Sequence, residues 1–143
     1  MAVRVWSATL YDELGRPLEY LVECWAKGWS FDPIEKEEYE WACMEPVDDA
    51  HDNPEKAWAF ILLAISSPIC EPHLGLLAAG PLEDLLFFHG TEFIDRVEVE
   101  AKSSPQFAHV LGGVWRFRMT DDVWTRVQKV WNPSYWHQKI DNL

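Results

Sequence analysis

Cys70 and His73 stand three residues apart in Cys70-Glu71-Pro72-His73, a thiol and an imidazole that zinc could use. A closed structural zinc site needs two further ligands, and none is presented at matching spacing. The pair is therefore expected to be a loop contact. Glu83, Asp84, His89, Arg96 and Glu98 form the most suggestive polar constellation. With His89 as proton shuttle, Glu83 and Asp84 would complete a small acid–base site. The competing role is electrostatic. Both acids follow Pro81 in the first turn of a predicted helix, where carboxylates offset the helix dipole, and Arg96 would pair with one of these acids. No nucleophile is fixed by the pattern. Phosphate-binding glycine loops, the Gly-x-Ser-x-Gly elbow, His-Glu-x-x-His and Cys-x-x-Cys are all absent. Asp48, Asp49 and Asp52 lack the spacing and glycine of a calcium loop. The chain is expected to work without metal or cofactor, and not as an enzyme.

The strongest chemical signal is charge. Between Asp32 and Glu55 lie ten carboxylates and one base, Lys36, a net −9 out of the chain's formal −12. Tyr39 and Trp41 interrupt these acids, and aromatic anchors inside a charged rim are how tight interfaces are built. Residues 103–143 carry five bases against three acids, so the molecule is expected to be electrically lopsided. A surface this acidic disfavours phosphate backbones, so direct binding of nucleic acid is not expected.

The elements that must position these residues are helices. The chain has 143 residues, 48% of them hydrophobic and nine of them tryptophan, enough for one packed domain spanning 1–143. Residues Val3–Leu14 fit either a helix face (Val3, Trp6, Leu10, Leu14) or a strand alternation. After Gly15-Arg16-Pro17, Leu18, Leu21, Val22 and Trp25 mark an amphipathic helix that Gly28 ends. A helix is predicted near Pro33–Met44, followed by a loop with the remaining acids between Pro46 and Asn53. Asn53 then caps a helix opened by Pro54, with Trp58, Ile61, Leu62 and Ile65 as its stripe. Short helices follow: His73–Ala79 stopped by Gly80, one from Pro81 stopped by Gly90, and one through Phe93, Ile94 and Val97 with Glu92–Arg96 and Glu98–Lys102 pairs. Pro105 opens another, closed by Gly112-Gly113. Thr120 caps the last, which carries Val123, Trp124, Val127, Val130 and Trp131. Residues 132–143 form an aromatic tail, with Trp136 flanked by Tyr135 and His137 and expected to strap the tail onto the body. The predicted class is all-α: seven to eight short helices in antiparallel pairs, an irregular solenoid-like bundle.

Three widely spaced cysteines, Cys24, Cys43 and Cys70, argue against a disulfide framework and for buried neutral thiols in a reducing cytoplasm. The first residues lack the apolar run of a secretory signal, and no stretch reaches the length of a membrane span.

Several motifs are familiar in combination: Asn53-Pro54-Glu55-Lys56-Ala57-Trp58, Ala78-Ala79-Gly80-Pro81-Leu82-Glu83-Asp84-Leu85-Leu86, His89-Gly90, Phe93-Ile94-Asp95-Arg96-Val97-Glu98, Leu111-Gly112-Gly113-Val114-Trp115 and Val123-Trp124-Thr125-Arg126-Val127. Together they resemble an uncharacterised bacterial family of small helical proteins, catalogued as a domain of unknown function. The likeness covers residues 53–131 and reaches more weakly to Trp25 and Glu38–Met44. It implies a bacterial, helical, soluble protein and transfers no catalytic residue.

The functional expectation is an acidic binding module. An immunity protein that masks a basic toxin domain needs a rigid scaffold, a charged face for fast association and a few anchors. Glu37, Glu38, Glu40, Asp48, Asp49 and Asp52 would meet lysine or arginine, and Tyr39 and Trp41 would supply apolar contact. A related version imitates the charge of DNA. The alternatives are the acid–base site at Glu83, Asp84 and His89, and an adaptor without a discrete site.

Overall fold

A computed structural model describes residues 5–134 and 136. Among these residues there are helices and no strands. The order is α1 (Ala8–Leu14), α2 (Leu18–Gly28), α3 (Pro33–Tyr39), α4 (Glu45–Asp52), α5 (Pro54–Ser66), α6 (Leu74–Leu77), α7 (Glu83–Ser103), α8 (Pro105–Leu111) and α9 (Asp121–Val130). Tight 3-10 turns occupy Glu40–Ala42 and Pro68–His73.

The fold is organised around α5. Ala57, Phe60, Ile61 and Ala64 are fully enclosed. A helix apolar on nearly every side has to be covered on nearly every side. Helices α2, α4, α7 and α8 all pack on it. Trp25 from α2 meets Phe60 edge-on at 5.8 Å, and Trp58 meets Phe107 of α8 edge-on at 5.6 Å, the geometry favoured by ring quadrupoles.

The helical alternative holds near the amino end, but over Ala8–Leu14. The Ser7 side chain accepts from Leu10 N–H, and Gly15 closes the helix in the left-handed conformation. Tyr11 is its buried residue, while Leu14 lies exposed. The predicted acidic loop 46–53 is instead α4, because Pro46 fits the first turn of a helix and its fixed φ starts one there. The helix predicted as Pro33–Met44 stops at Tyr39 and tightens into the 3-10 turn. Asn53 stands before α5, but its side chain makes no capping hydrogen bond.

The largest departure concerns Gly80, which does not end a helix. A π-helical turn over Ala78–Leu82 joins α6 to α7, and its wider ring accommodates Pro81, which has no N–H to donate. At His89 the backbone leaves helical geometry (φ −135°, ψ 26°), so that α7 is two helices joined across a kink, beside the stop expected at Gly90. Gly90 is a packing notch: a β-carbon there would lie 3.1 Å from both Val123 methyl groups, so its absence lets α9 close onto α7. The predicted i, i+4 pairs are also replaced. Arg96 reaches across to Glu55 in a bidentate pair (2.7 and 2.8 Å), and Arg126 of α9 binds Glu98 together with Asp95. These contacts join helices, which the pairs along one helix would not.

Trp136 behaves as the strap expected of it. Its indole N–H donates to the His109 carbonyl at 2.6 Å, and its ring stacks on the His109 imidazole at 5.2 Å. Tyr135, His137 and the rest of the predicted tail lie outside the described residues. Just before Trp136, Asn132 N–H bonds the Ala108 carbonyl at 2.9 Å, which presses this segment onto Gly112. A β-carbon at Gly112 would sit 2.0 Å from the Asn132 oxygen, a backbone atom that no rotamer change can move. We therefore expect Gly112→Ala to cost about 2–3 kcal/mol and to lower Tm by roughly 5–10 °C in a calorimetric scan.

Candidate functional site

The acidic segment divides. Helix α3 packs on α2, whereas α4 packs on α5 and α7, so the run of acids forms two groups instead of one. Glu37 and Glu40 are exposed in the first group, and Asp48 and Asp52 in the second. Glu38 is half-buried. Two features depart from the expected interface. Tyr39 and Trp41 are half-buried and turn toward the body: Trp41 packs on Tyr11 (5.9 Å), and Lys27 lies over the Tyr39 ring (5.1 Å). Their apolar faces are drawn in because Tyr11 and α2 leave a hollow that an aromatic ring fills. Asp49 is likewise turned inward.

Asp49 belongs to a hub centred on Lys56, the base that opens α5. The Lys56 ammonium lies 3.1 Å from Asp49 Oδ2 and 3.7 Å from Glu45 Oε2, and it rests over the Tyr11 ring at 5.4 Å. Burial pushes the Asp49 and Glu45 carboxyls above the usual carboxylate range, and Lys56 pulls both back. Burial also depresses Lys56, but its two acids more than offset that and keep it cationic. This hub staples α4 to α5 and holds the outer face of α4 in place.

That outer face borders a groove of about 430 Å³ between α4, α7 and the loop 112–120. Asp48, His51 and Asp52 line one side, Asp84, Phe87 and Phe88 the other, and Phe117 and Arg118 close the end. Phe87 and Phe88 touch at 4.6 Å, and the His51 ring lies 4.4 Å from Phe88. Arg118 sits over two rings, Phe87 at 5.7 Å and Phe117 at 5.3 Å. Phe88 and Phe117 are substantially exposed, at 44% and 65%. Burial raises the Asp84 carboxyl, with no base to offset it. Phe117 adopts φ +46°, a left-handed conformation that side chains resist.

Glu83 and Asp84 feel each other's charge, but His89 is engaged elsewhere and does not join them. Glu83 accepts a backbone hydrogen bond from Trp115, and His89 Nε2 meets the His51 carbonyl at 2.9 Å with Nδ1 near Glu92. Six residues of helix carry His89 about 9 Å along the axis from Glu83. Arg96, expected among these acids, is committed to Glu55. Cys70 and His73 face inward, the thiol toward the Val22 carbonyl and the imidazole edge-on to Trp25. Among the described residues no three His, Cys, Asp or Glu side chains are placed to share a metal ion. All three cysteines are free and buried, and burial lifts the Cys43 and Cys70 thiols to about 11.

Two of the described C-terminal bases are neutralised locally. Arg116 binds Asp121, and Arg126 binds Asp95 and Glu98. No single described helix is long and apolar enough to cross a membrane.

The chain belongs to a family of unknown function, DUF6869, whose profile matches residues 30–135. Neither the curated proteins nor the solved structures provide a match. The matched span runs from α3 to the tail and contains the whole groove.

The groove's aromatic members escaped the sequence reading. Phe87-Phe88 was a legible signal, because adjacent helical residues point about 100° apart and a narrow buried stripe takes only one. His51 and Arg118 carried none, since only the fold brings α4 beside the loop.

Two outcomes check this geometry. Lys56→Met strands two half-buried carboxylates, and we expect a loss of about 2–3 kcal/mol at pH 7. Carboxyls with raised folded-state pKa values bind protons in the folded state first, so the loss shrinks as pH falls through those values. Thermal unfolding at pH 7 and pH 5 reads both parts. At the loop tip, Phe117→Gly should be more stable than Phe117→Ala by about 1 kcal/mol in urea titrations, because only glycine is relaxed at that φ.

Proposed function

We propose that this chain is an acidic protein-binding module, an immunity or inhibitor protein that neutralises a cognate bacterial toxin or another basic partner by covering its surface. It acts in the cytoplasm, and it needs no chemistry of its own. The observation that carries this reading is the uneven use of charge. Several bases are consumed locally: Lys27 by Glu23, Lys56 by Glu45 and Asp49, Arg96 by Glu55, Arg116 by Asp121, and Arg126 by Asp95 and Glu98. Glu37, Glu40 and Asp48 are left exposed and carry no ion pair among the described residues. Unneutralised carboxylates on a rigid body cost self-repulsion in the free protein, and an approaching cationic surface removes that cost.

The physical consequence is kinetic. Charges at the rim of an interface speed encounter more than they deepen affinity, and their effect fades with salt. Tyr39 and Trp41 stiffen the α3 end from within and are not the contact anchors. Asp49 acts as part of the scaffold that presents Asp48.

The test uses the purified product of the gene adjacent to this one in its native genome. We expect the triple variant Glu37→Lys, Glu40→Lys, Asp48→Lys to slow association by roughly 10–100-fold at low salt and to flatten the salt dependence, with dissociation nearly unchanged. Stopped-flow association at several ionic strengths reads this. Equal rates for variant and parent would sink the steering role, and the absence of any binding would sink the partner reading itself.

A further inference from the structure

The groove beside α4 already holds a cation on its rings. Arg118 lies over Phe87 and Phe117, yet it makes no ion pair with Asp48, Asp52 or Asp84 among the described residues. The walls therefore carry three carboxylates and the floor two phenyl rings, while the one guanidinium present satisfies only the rings. A flat, weakly hydrated guanidinium is the side chain that uses both features at once, by stacking on an aromatic face and forking onto a carboxylate. A lysine ammonium keeps its water more tightly and cannot stack.

We infer that this groove is an arginine slot in which an arginine from a basic partner protein displaces Arg118 from the phenyl rings and pairs with Asp84. The inference rests on the reading of the chain as an acidic protein-binding module and says where that module takes hold. Three further observations support it. The groove's volume of about 430 Å³ lies at the low end of small-ligand pockets (~300–1,000 Å³), which suits one extended side chain. Asp84 is half-buried beside the rings, so much of its desolvation has already been borne during folding, and a charged hydrogen bond formed there is stronger than one at the open surface. Arg118 is itself exposed and is held by the two rings without an ion pair among the described residues, so the incoming guanidinium replaces the contact that is lost when Arg118 swings out. The occupant is a protein because the exposed carboxylate of Asp48 at the mouth continues the charged face beyond the slot and asks for further bases on the same ligand.

The probes are hexa-arginine and hexa-lysine peptides, equal in charge, titrated into the full chain at low salt. Affinity is followed by calorimetry, and the Phe87, Phe88 and Phe117 rings by aromatic NMR. We expect hexa-arginine to bind roughly 2–5-fold tighter than hexa-lysine and to shift those ring signals, as a cation–π contribution of about 0.5–1 kcal/mol predicts. Arg118→Ala should tighten hexa-arginine by a similar factor, while Phe117→Ala and Asp84→Asn should erase the preference between the peptides. Glu37→Lys with Glu40→Lys should weaken both peptides equally and leave the preference intact. Equal affinities, or ring signals that stay still while binding proceeds, would overturn the slot and leave the acidic-face reading standing. Binding of neither peptide would overturn both. Arginine amide binding as tightly as hexa-arginine would overturn the protein occupant in favour of a small ligand. Circular dichroism of each variant confirms that a lost preference is not lost folding.

Discussion

Helix α5 has almost no face that tolerates water, and the arrangement of the other helices follows from that. Four of its residues are fully enclosed, and Trp58 adds an indole between α7 and α8. Burying such a helix takes several partners, which arrive from both directions along the chain: α2 and α4 from before it, α7 and α8 from after it. The charged residues that begin α5 cannot follow the apolar ones inward. Glu55 and Lys56 instead make the contacts that tie it to Arg96 on α7 and to Asp49 and Glu45 on α4. Apolar demand sets the positions of the neighbours, and the polar end of the same helix locks them.

That division explains how a strongly acidic chain remains a coherent body. Three of its bases are spent on pairs that bridge one helix to another: Lys56 joins α5 to α4, Arg96 joins α7 to α5, and Arg126 joins α9 to α7. The acids are too numerous to be matched, and part of the surplus is left on α3 and the outer side of α4. Surface pairs of this sort add little stability individually. Their larger effect is on the pattern of what remains unpaired, and that pattern is the basis of the proposed partner and of the slot beside α4.

Much of the fold was legible because its signals are local. The stripe Leu18, Leu21, Val22, Trp25, the Pro54 start, the Pro105 entry to α8 and the Thr120 cap depend on neighbours within a turn or two, and each element formed where these residues stand. The departures have separate causes. Gly80 carries a stop signal locally, but Pro81 is absorbed by a π turn that runs on into α7. The acids between Pro46 and Asn53 look like loop, yet packing on α5 and α7 stabilises them as a helix. For α4, packing on α7 adds to the Pro46 start and outweighs loop preferences worth about 1 kcal/mol or less per residue.

From its residues alone this protein is an all-helical domain with an acid surplus concentrated before its most apolar helix. Periodicity and net charge are properties of the chain, and no fold is needed to see them. Which acids face solvent, and which aromatic rings are left uncovered, was decided by tertiary packing. Trp41 and Phe88 are both aromatic residues beside acids, but Trp41 is folded over Tyr11 while Phe88 is left at the mouth of a groove. The physical reason is that exposure depends on what stands opposite a side chain, and its neighbours in sequence do not specify that.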